Sequence, residues 1–313
     1  MTSLPVILNS LVPVAFVILL GLLAGVLKLI TVENSSVLAA LALDFCLPAM
    51  LFAATAQMTA QQFENWQFFL GIALGLLAIY VVGLVFALSA FRKPVAESSL
   101  QALNSAFPNM AFMGIPVLTA VIGTSAVISV VIGNLISSFV LLPITLTLLE
   151  TGKPSKAGTS PSMVVLSAVT RAVKQPLVWA PLAGILFAVV HIPLPDVIAK
   201  SFNLIGVATS GVALFALGLV LSGQRLKISW SAGVNIVLKI LAQPLVMWML
   251  AIALGVTGVY RREMILLGAL PTASMTAMFA VQYKVYIAES DATILFSTVV
   301  SIVTLGICIA LTV

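Results

Sequence analysis

The stretch ALNSAFPNMAFMGIPVL, Ala102 to Leu118, lies in apolar sequence of membrane-spanning length and yet is crowded with helix breakers. Pro108 has no N–H, so a helix running through it leaves the Asn104 carbonyl without its donor. Pro116 does the same to Phe112, and Gly114 adds backbone freedom between the two. An unpaired carbonyl is too costly to leave in hydrocarbon, so a broken helix there faces protein or water, not lipid. Asn104, Ser105 and Asn109 stand beside the break and are able to supply or accept the missing hydrogen bonds. A second such stretch, LGALPTASMTAMFA, runs from Leu267 to Ala280, with Pro271 at the break and Thr272, Ser274 and Thr276 around it. Two interrupted spans in corresponding positions of two halves are the best sequence pointer to a transporter's binding site.

The rest of the chain fits this reading. Of 313 residues, 62% are hydrophobic and 7% charged, against about 25% charged in a soluble protein. The mean hydropathy is +1.24. This is the composition of an all-α integral membrane protein. The net charge of +5 belongs to the loops, so it does not imply nucleic acid as a partner. The first apolar run has no basic stretch before it and is expected to be retained as a helix. Cys46 and Cys308 fall within apolar spans and are expected to be free thiols.

Ten spans have the length of roughly 20 residues that crosses a bilayer: Pro5 to Leu27, Ser36 to Gln57, Phe68 to Phe91, Glu97 to Ile122, Ser125 to Leu149, Gln175 to His191, Val197 to Ser222, Ser231 to Val256, Glu263 to Tyr283 and Ala292 to Val313. Spans 4 and 9 carry the breaks. Between spans 5 and 6 lies TGKPSKAGTSPS, Thr151 to Ser162, the only linker-like stretch. Met163 to Lys174 after it is expected to form a surface helix whose Ser167, Arg171 and Lys174 face lipid headgroups. Loops 1, 3, 5, 7 and 9 hold ten basic residues and the opposite loops only Lys200, Arg261 and Arg262. The positive-inside rule then puts both termini outside, periplasmic in a bacterial inner membrane. Five spans is an odd number, so two five-span halves must be inverted with respect to each other.

Two charges lie inside the membrane. Asp44 is about nine residues into span 2 and Lys239 about nine into span 8, each roughly 13 Å from the inner edge. Intramembrane charges are costly and usually functional. Asp44 is a candidate for a coupling proton or sodium ion, for a partner of Lys239, or for a structural residue. Lys239 is assigned to compensating the carbonyl dipoles of the broken helices. The substrate-binding candidates are Asn109, Ser105, Met110, Pro108, Thr272, Ser274 and Pro271. Capping of the broken ends competes with substrate contact for these residues, most of all for Asn104. The half-helix N-termini after Pro108 and Pro271 favour an anion, while the exposed carbonyls of the same breaks favour a cation. His191 is the only histidine, and no phosphate loop, nucleophile elbow or zinc motif is present. No catalytic, cofactor-binding or metal-binding residue is therefore assigned, and transport would use a gradient or run as a facilitator.

These residues also resemble a family. LDFCLPAMLFAATAQ (Leu43 to Gln57), FPNMAFMGIPVL (Phe107 to Leu118), VKQPLVWAPLAGIL (Val173 to Leu186), GVALFALGLVLS (Gly211 to Ser222) and KILAQPL (Lys239 to Leu245) stand in the order and spacing of the auxin efflux carrier family. Within it, the chain resembles the bacterial malonate transporter branch. The resemblance implies ten transmembrane helices in two inverted five-helix repeats, with broken helices 4 and 9 crossing at the centre, as in bile acid symporters and sodium–proton antiporters. It implies scaffold helices in 1–57 and 175–222, transport-domain helices in 67–149 and 230–313, and a cytoplasmic linker with an amphipathic helix in 150–174. It implies a small organic anion such as malonate as substrate, touched by Asn109, and a homodimer through the scaffold. Plant members carry a second asparagine at the other crossing; here Thr272 follows Pro271, and Thr272 or Ser274 is the candidate substitute. The expected function is a secondary transporter coupled to protons or sodium. An uncoupled facilitator or exporter with a structural Asp44 is the first alternative, and a membrane-embedded metabolite sensor the second.

Overall fold

The computed structural model describes residues 3–58, 65–151, 174–223 and 229–312, together with Leu166 and Thr170. Most of the expected linker and surface helix, including Ser167 and Arg171, lies outside the described residues. Among the described residues the chain is helical throughout and has no strand beyond one isolated bridge. Among the described residues, six helices are long and apolar enough to cross a membrane. They are α2 (Val32–Ala56), α3 (Trp66–Ala90), α6 (Ala126–Leu149), α8 (Asp196–Ser222), α9 (Trp230–Ala253) and α12 (Ile287–Thr312). Between them come α1 (Ser3–Val26), α4 (Val95–Ala106), α5 (Met110–Val121), α7 (Pro176–Val189), α10 (Gly258–Ala269) and α11 (Met275–Tyr283). Large apolar side chains such as Leu204, Val207, Trp230 and Leu311 stand exposed on these helices, a surface suited to lipid and not to water.

Prolines recur inside the helices, and the backbone absorbs most of them by one device. Wide π-turns span Leu41–Cys46, Met110–Gly114, Ser137–Leu141 and Leu238–Ala242. Each ends two residues before a proline: Pro48, Pro116, Pro143 and Pro244. A proline removes one donor and its ring crowds the carbonyl four residues back; widening the turn relieves the crowding and lets the helix go on. Pro116 therefore does not break its span, contrary to the sequence expectation. Helix α5 runs through it, and the break is confined to Pro108.

The chain divides into two compact units. The first comprises residues 1–66, 110–132 and 173–223. Its tightest contact is between α1 and α8, where backbones meet. A Cβ on Gly21 would stand 2.1 Å from the Phe215 oxygen, and one on Gly218 would stand 2.0 Å from the Ile18 oxygen. Small residues at facing positions allow this approach, which is how helices gain dispersion contact where lipid removes the hydrophobic drive. The second unit comprises residues 67–109, 133–172 and 224–313. Within it α12 packs on α9, α10, α11 and α4, and its inner face carries hydroxyls: Ser290, Thr293, Ser297, Ser301 and Thr304 are all buried.

Candidate functional site

The two breaks meet inside the second unit. A proline disfavours helical geometry in the residue before it, and at both breaks that residue turns extended. Phe107, before Pro108, has ψ of 106°, and Leu270, before Pro271, has ψ of 146°. Both chains thus leave their helices extended, and the two extended pieces pair. The Asn109 N–H donates to the Pro271 carbonyl at 2.8 Å, and the Ala273 N–H donates to the Phe107 carbonyl at 2.9 Å. Pro108 and Thr272 face each other between these bonds as a single antiparallel bridge. At such a position neither residue's own N–H takes part in the pairing, so proline loses nothing there. The Thr272 N–H, left pointing away, donates to the Ser297 hydroxyl of α12 at 3.1 Å.

The carbonyl that Pro108 orphans also has a partner. The Thr272 hydroxyl donates to the Asn104 carbonyl at 2.8 Å, with both residues fully buried. The Asn104 side chain ties the crossing together: Nδ2 donates to the Leu100 carbonyl and to the Ser290 hydroxyl, and Oδ1 accepts from the Thr276 hydroxyl at 2.9 Å. The Ser105 hydroxyl lies 3.0 Å from both the Gln101 carbonyl and Asn235 Oδ1.

The carbonyl ends of the two half-helices are capped from one helix. On α9 the Lys239 amine donates to Gln243 Oε1 and, at 3.1 Å, to the Gly268 carbonyl in the last turn of α10. Gln243 Nε2 donates at 2.8 Å to the Ala106 carbonyl, the last of α4. Gly268 permits this reach, since a Cβ there would stand 2.8 Å from the Met247 side chain and 3.2 Å from Pro244 Cα. Lys239 is fully buried.

The structure distributes the predicted residues as follows. Asn109, Pro108, Pro271 and Thr272 form the crossing itself, and Ser105 lies buried one turn before it. Met110 is buried at the start of α5 in the first unit. Ser274 immediately precedes α11; its hydroxyl oxygen is enclosed and has no hydrogen-bond partner among the described residues. Asp44 lies exposed on the π-turn of α2, in the first unit. Sequence reasoning missed Ser290 and Ser297, which brace the crossing from behind. Their signal was the repeat of hydroxyl residues at three- and four-residue spacing along α12, which lines one helix face. It also missed a cluster at the rim of the same unit. Lys93 lies 3.1 Å from Glu97, 3.8 Å from Glu289 and 4.6 Å from the Tyr286 ring centroid. The Tyr286 hydroxyl bonds to Ser231 and accepts from Asn235 Nδ2 at 3.0 Å. Burial holds the Tyr286 phenol well above the usual tyrosine range. Through Asn235 and Ser105 this cluster connects to the helix that enters the crossing.

Comparison with known proteins relates the sequence to membrane transporters. The sequence model described as "Membrane transport protein" matches residues 6–309. The chain is similar to the "Uncharacterized transporter YfdV" of Escherichia coli K12, 28% identical over 305 residues that cover 95% of each chain. It is similar to a Rhizobium meliloti protein named "Putative malonate transporter", 27% identical over 264 residues, 82% of this chain and 81% of that one. It is also similar to auxin efflux carrier component 3a of Oryza sativa, 26% identical over 147 residues, 45% of this chain and 24% of that one.

Proposed function

Because the chain belongs to the membrane transport protein family that includes the auxin efflux carriers, we propose that it is a secondary transporter of a small organic anion, malonate or a similar dicarboxylate, in a bacterial inner membrane. The proposal includes ten transmembrane helices in two inverted repeats, with α4–α5 and α10–α11 each counted as one interrupted helix. Both termini are periplasmic in this reading.

The observation that carries it is the paired crossing. Two half-helices enter it and leave their carbonyl ends capped by Lys239 and Gln243. After Pro271 the chain re-enters helix at α11 within the same unit, and the first-turn N–H groups of that helix are a ready anion site. Ser274 stands at this start, and Asn109 ends the other extended piece. The enclosed Ser274 hydroxyl has a hydrogen bond to give, which a carboxylate oxygen accepts well. Thr272, Ser105 and Asn104 have their hydroxyls or amide engaged with protein, so they frame the site; the Ser274 hydroxyl touches the anion, and Asn109 is assigned to it by its place directly after Pro108. Asp44 binds the coupling proton or sodium ion. Malonate and its homologues suit this site because one carboxylate is held by N–H groups and the other is left for Asn109.

The test is radiolabelled malonate uptake into proteoliposomes under imposed proton or sodium gradients. Uptake should follow one gradient, fall at least tenfold in Asn109→Ala, and lose its gradient dependence in Asp44→Asn. Unchanged affinity and rate in Asn109→Ala would remove Asn109 from the site. Uptake indifferent to both gradients would replace coupling with facilitated transport.

A further inference from the structure

Helices α9 and α12 start side by side, where Asn235 Nδ2 donates to the Thr293 hydroxyl at 3.3 Å and Ser231 bonds to Tyr286. Farther along they part, and a groove of about 320 Å³ opens between them within the second unit. Its walls are α9 from Ile240 to Trp248 and α12 from Thr304 to Thr312, with the buried Ile265 of α10 completing the lining. Each wall is eight residue steps, about 12 Å at 1.5 Å per residue. The groove therefore follows the helix axes, and one end of it lies at the last turn of α12. One leaflet has about 15 Å of hydrocarbon, so the groove spans most of a leaflet. No charged side chain lines it. Its two hydroxyls are turned to their own helix, Thr304 to the Ser301 carbonyl and Thr312 to the Cys308 carbonyl, so neither is left for a polar ligand. Leu241, Leu245 and Ile307 stand half exposed along it, which makes the groove continuous with the lipid-facing surface. Size decides between the apolar occupants. A helix of a second copy is about 10 Å across and needs roughly 900 Å³ over this length. An extended hydrocarbon chain, about 5 Å across at van der Waals contact, needs roughly 240 Å³.

We propose that this groove is a binding site for one acyl chain of a membrane phospholipid. The headgroup stands at the α12 end, and the chain runs inward toward Ile240 and Leu241. Pro244 lines the groove, and its Cα also lies 3.2 Å from the point that a Gly268 Cβ would occupy. The chain thus packs behind the turn of α9 that meets α10. An empty groove would leave its walls without partner atoms and forfeit their dispersion contacts, so the bound chain steadies the second unit. The proposal rests on the chain being a membrane protein and not on the identity of any transported substrate.

The test is native mass spectrometry of the purified full-length protein, delipidated in detergent and given dipalmitoyl phosphatidylcholine. Wild type should retain one lipid molecule. Dioctanoyl phosphatidylcholine should be retained about tenfold less or weaker still, because each methylene lost from the groove removes burial energy. Dipalmitoyl phosphatidylglycerol should match phosphatidylcholine, since no charged side chain lines the groove. Cys308→Phe puts a ring into the groove and should abolish retention, while Cys308→Ala keeps it. Equal retention in Cys308→Phe and wild type, or retention that follows the headgroup and not the chain length, would overturn the proposal. A dimer formed by wild type and lost in Cys308→Phe would give the groove to a second copy and overturn it as well. Cys308 is also a reporter, because it is partly exposed while Cys46 is buried. Its reaction with N-ethylmaleimide should slow severalfold when dipalmitoyl lipid is added to delipidated wild type, and an unchanged rate would overturn the proposal. Where Cys308→Phe fails to fold, this rate and the chain-length series decide. None of these readouts involves transport, so the malonate assay is judged separately.

Discussion

Thr272→Val isolates the bond on which the crossing depends. The substitution keeps the β-branched shape and removes only the hydroxyl. In wild type that hydroxyl donates at 2.8 Å to the Asn104 carbonyl. The regular helical donor to that carbonyl would be the N–H of residue 108, which proline lacks. Both Thr272 and Asn104 have no solvent exposure, so water does not replace the lost donor. Two magnitudes compete. Interhelical hydrogen bonds in membrane proteins average about 0.6 kcal/mol because the unfolded chain in lipid also finds partners. A buried acceptor left without any partner costs about 1–3 kcal/mol. The second governs here, because the carbonyl is fully buried and its regular helical donor is missing at Pro108. The expected destabilisation is therefore about 1–3 kcal/mol, with Thr272→Ser within about 0.5 kcal/mol of wild type because the donor survives. Reversible denaturant unfolding of the purified protein in mixed micelles measures both. If Thr272→Val unfolds with wild type, or if Thr272→Ser is as unstable as Thr272→Val, the carbonyl is not being satisfied as described and the account of the crossing fails.

Other perturbations test the same physics at different points. Ser297→Ala strips the acceptor from the Thr272 N–H and should cost about 1–3 kcal/mol in the same unfolding assay. Gly218→Ala places a Cβ 2.0 Å from the Ile18 oxygen; overpacking of about 1–3 kcal/mol or more is expected, seen as a lowered unfolding midpoint and lower yield of monodisperse protein. Pro116→Ala should be tolerated within about 1 kcal/mol, since the π-turn already carries the helix past this residue; a larger loss would show that the proline itself holds α5 in place. Ser274→Ala should leave stability near wild type, because its hydroxyl has no protein partner to lose, and should weaken malonate binding by about tenfold, the worth of one hydrogen bond to a charged group.

The two charges of the sequence reading show where inference from position stops. Asp44 and Lys239 stand at matching depths in their spans, and both fall in a π-turn that precedes a proline. Position alone treats them as counterparts. Their surroundings differ: Lys239 is fully buried beneath two helix ends of its unit, while Asp44 lies on an exposed face of α2. Pro108 and Pro116 are a similar pair. Each removes one N–H, yet only Pro108 ends its helix: an extended partner is available to it at Pro271–Ala273, and among the described residues Pro116 has none.

What followed from sequence alone were the local facts. Long apolar spans must be helices in a membrane, because only a helix satisfies its own backbone there. Proline must orphan a carbonyl four residues back, and it disfavours helical geometry in the residue before it. These rules located both breaks and raised the question of what pairs with the Asn104 carbonyl. The answers were not local. The donor is a threonine 168 residues away, the cap on Ala106 is a glutamine 137 residues away, and the amine on Gly268 comes from a third helix. A polar side chain near a break reads the same in sequence whether it binds a ligand or repairs the backbone. Only the packing of the helices decides which, because a hydrogen bond requires its two atoms within about 3 Å of each other, and sequence separation carries no information about that distance.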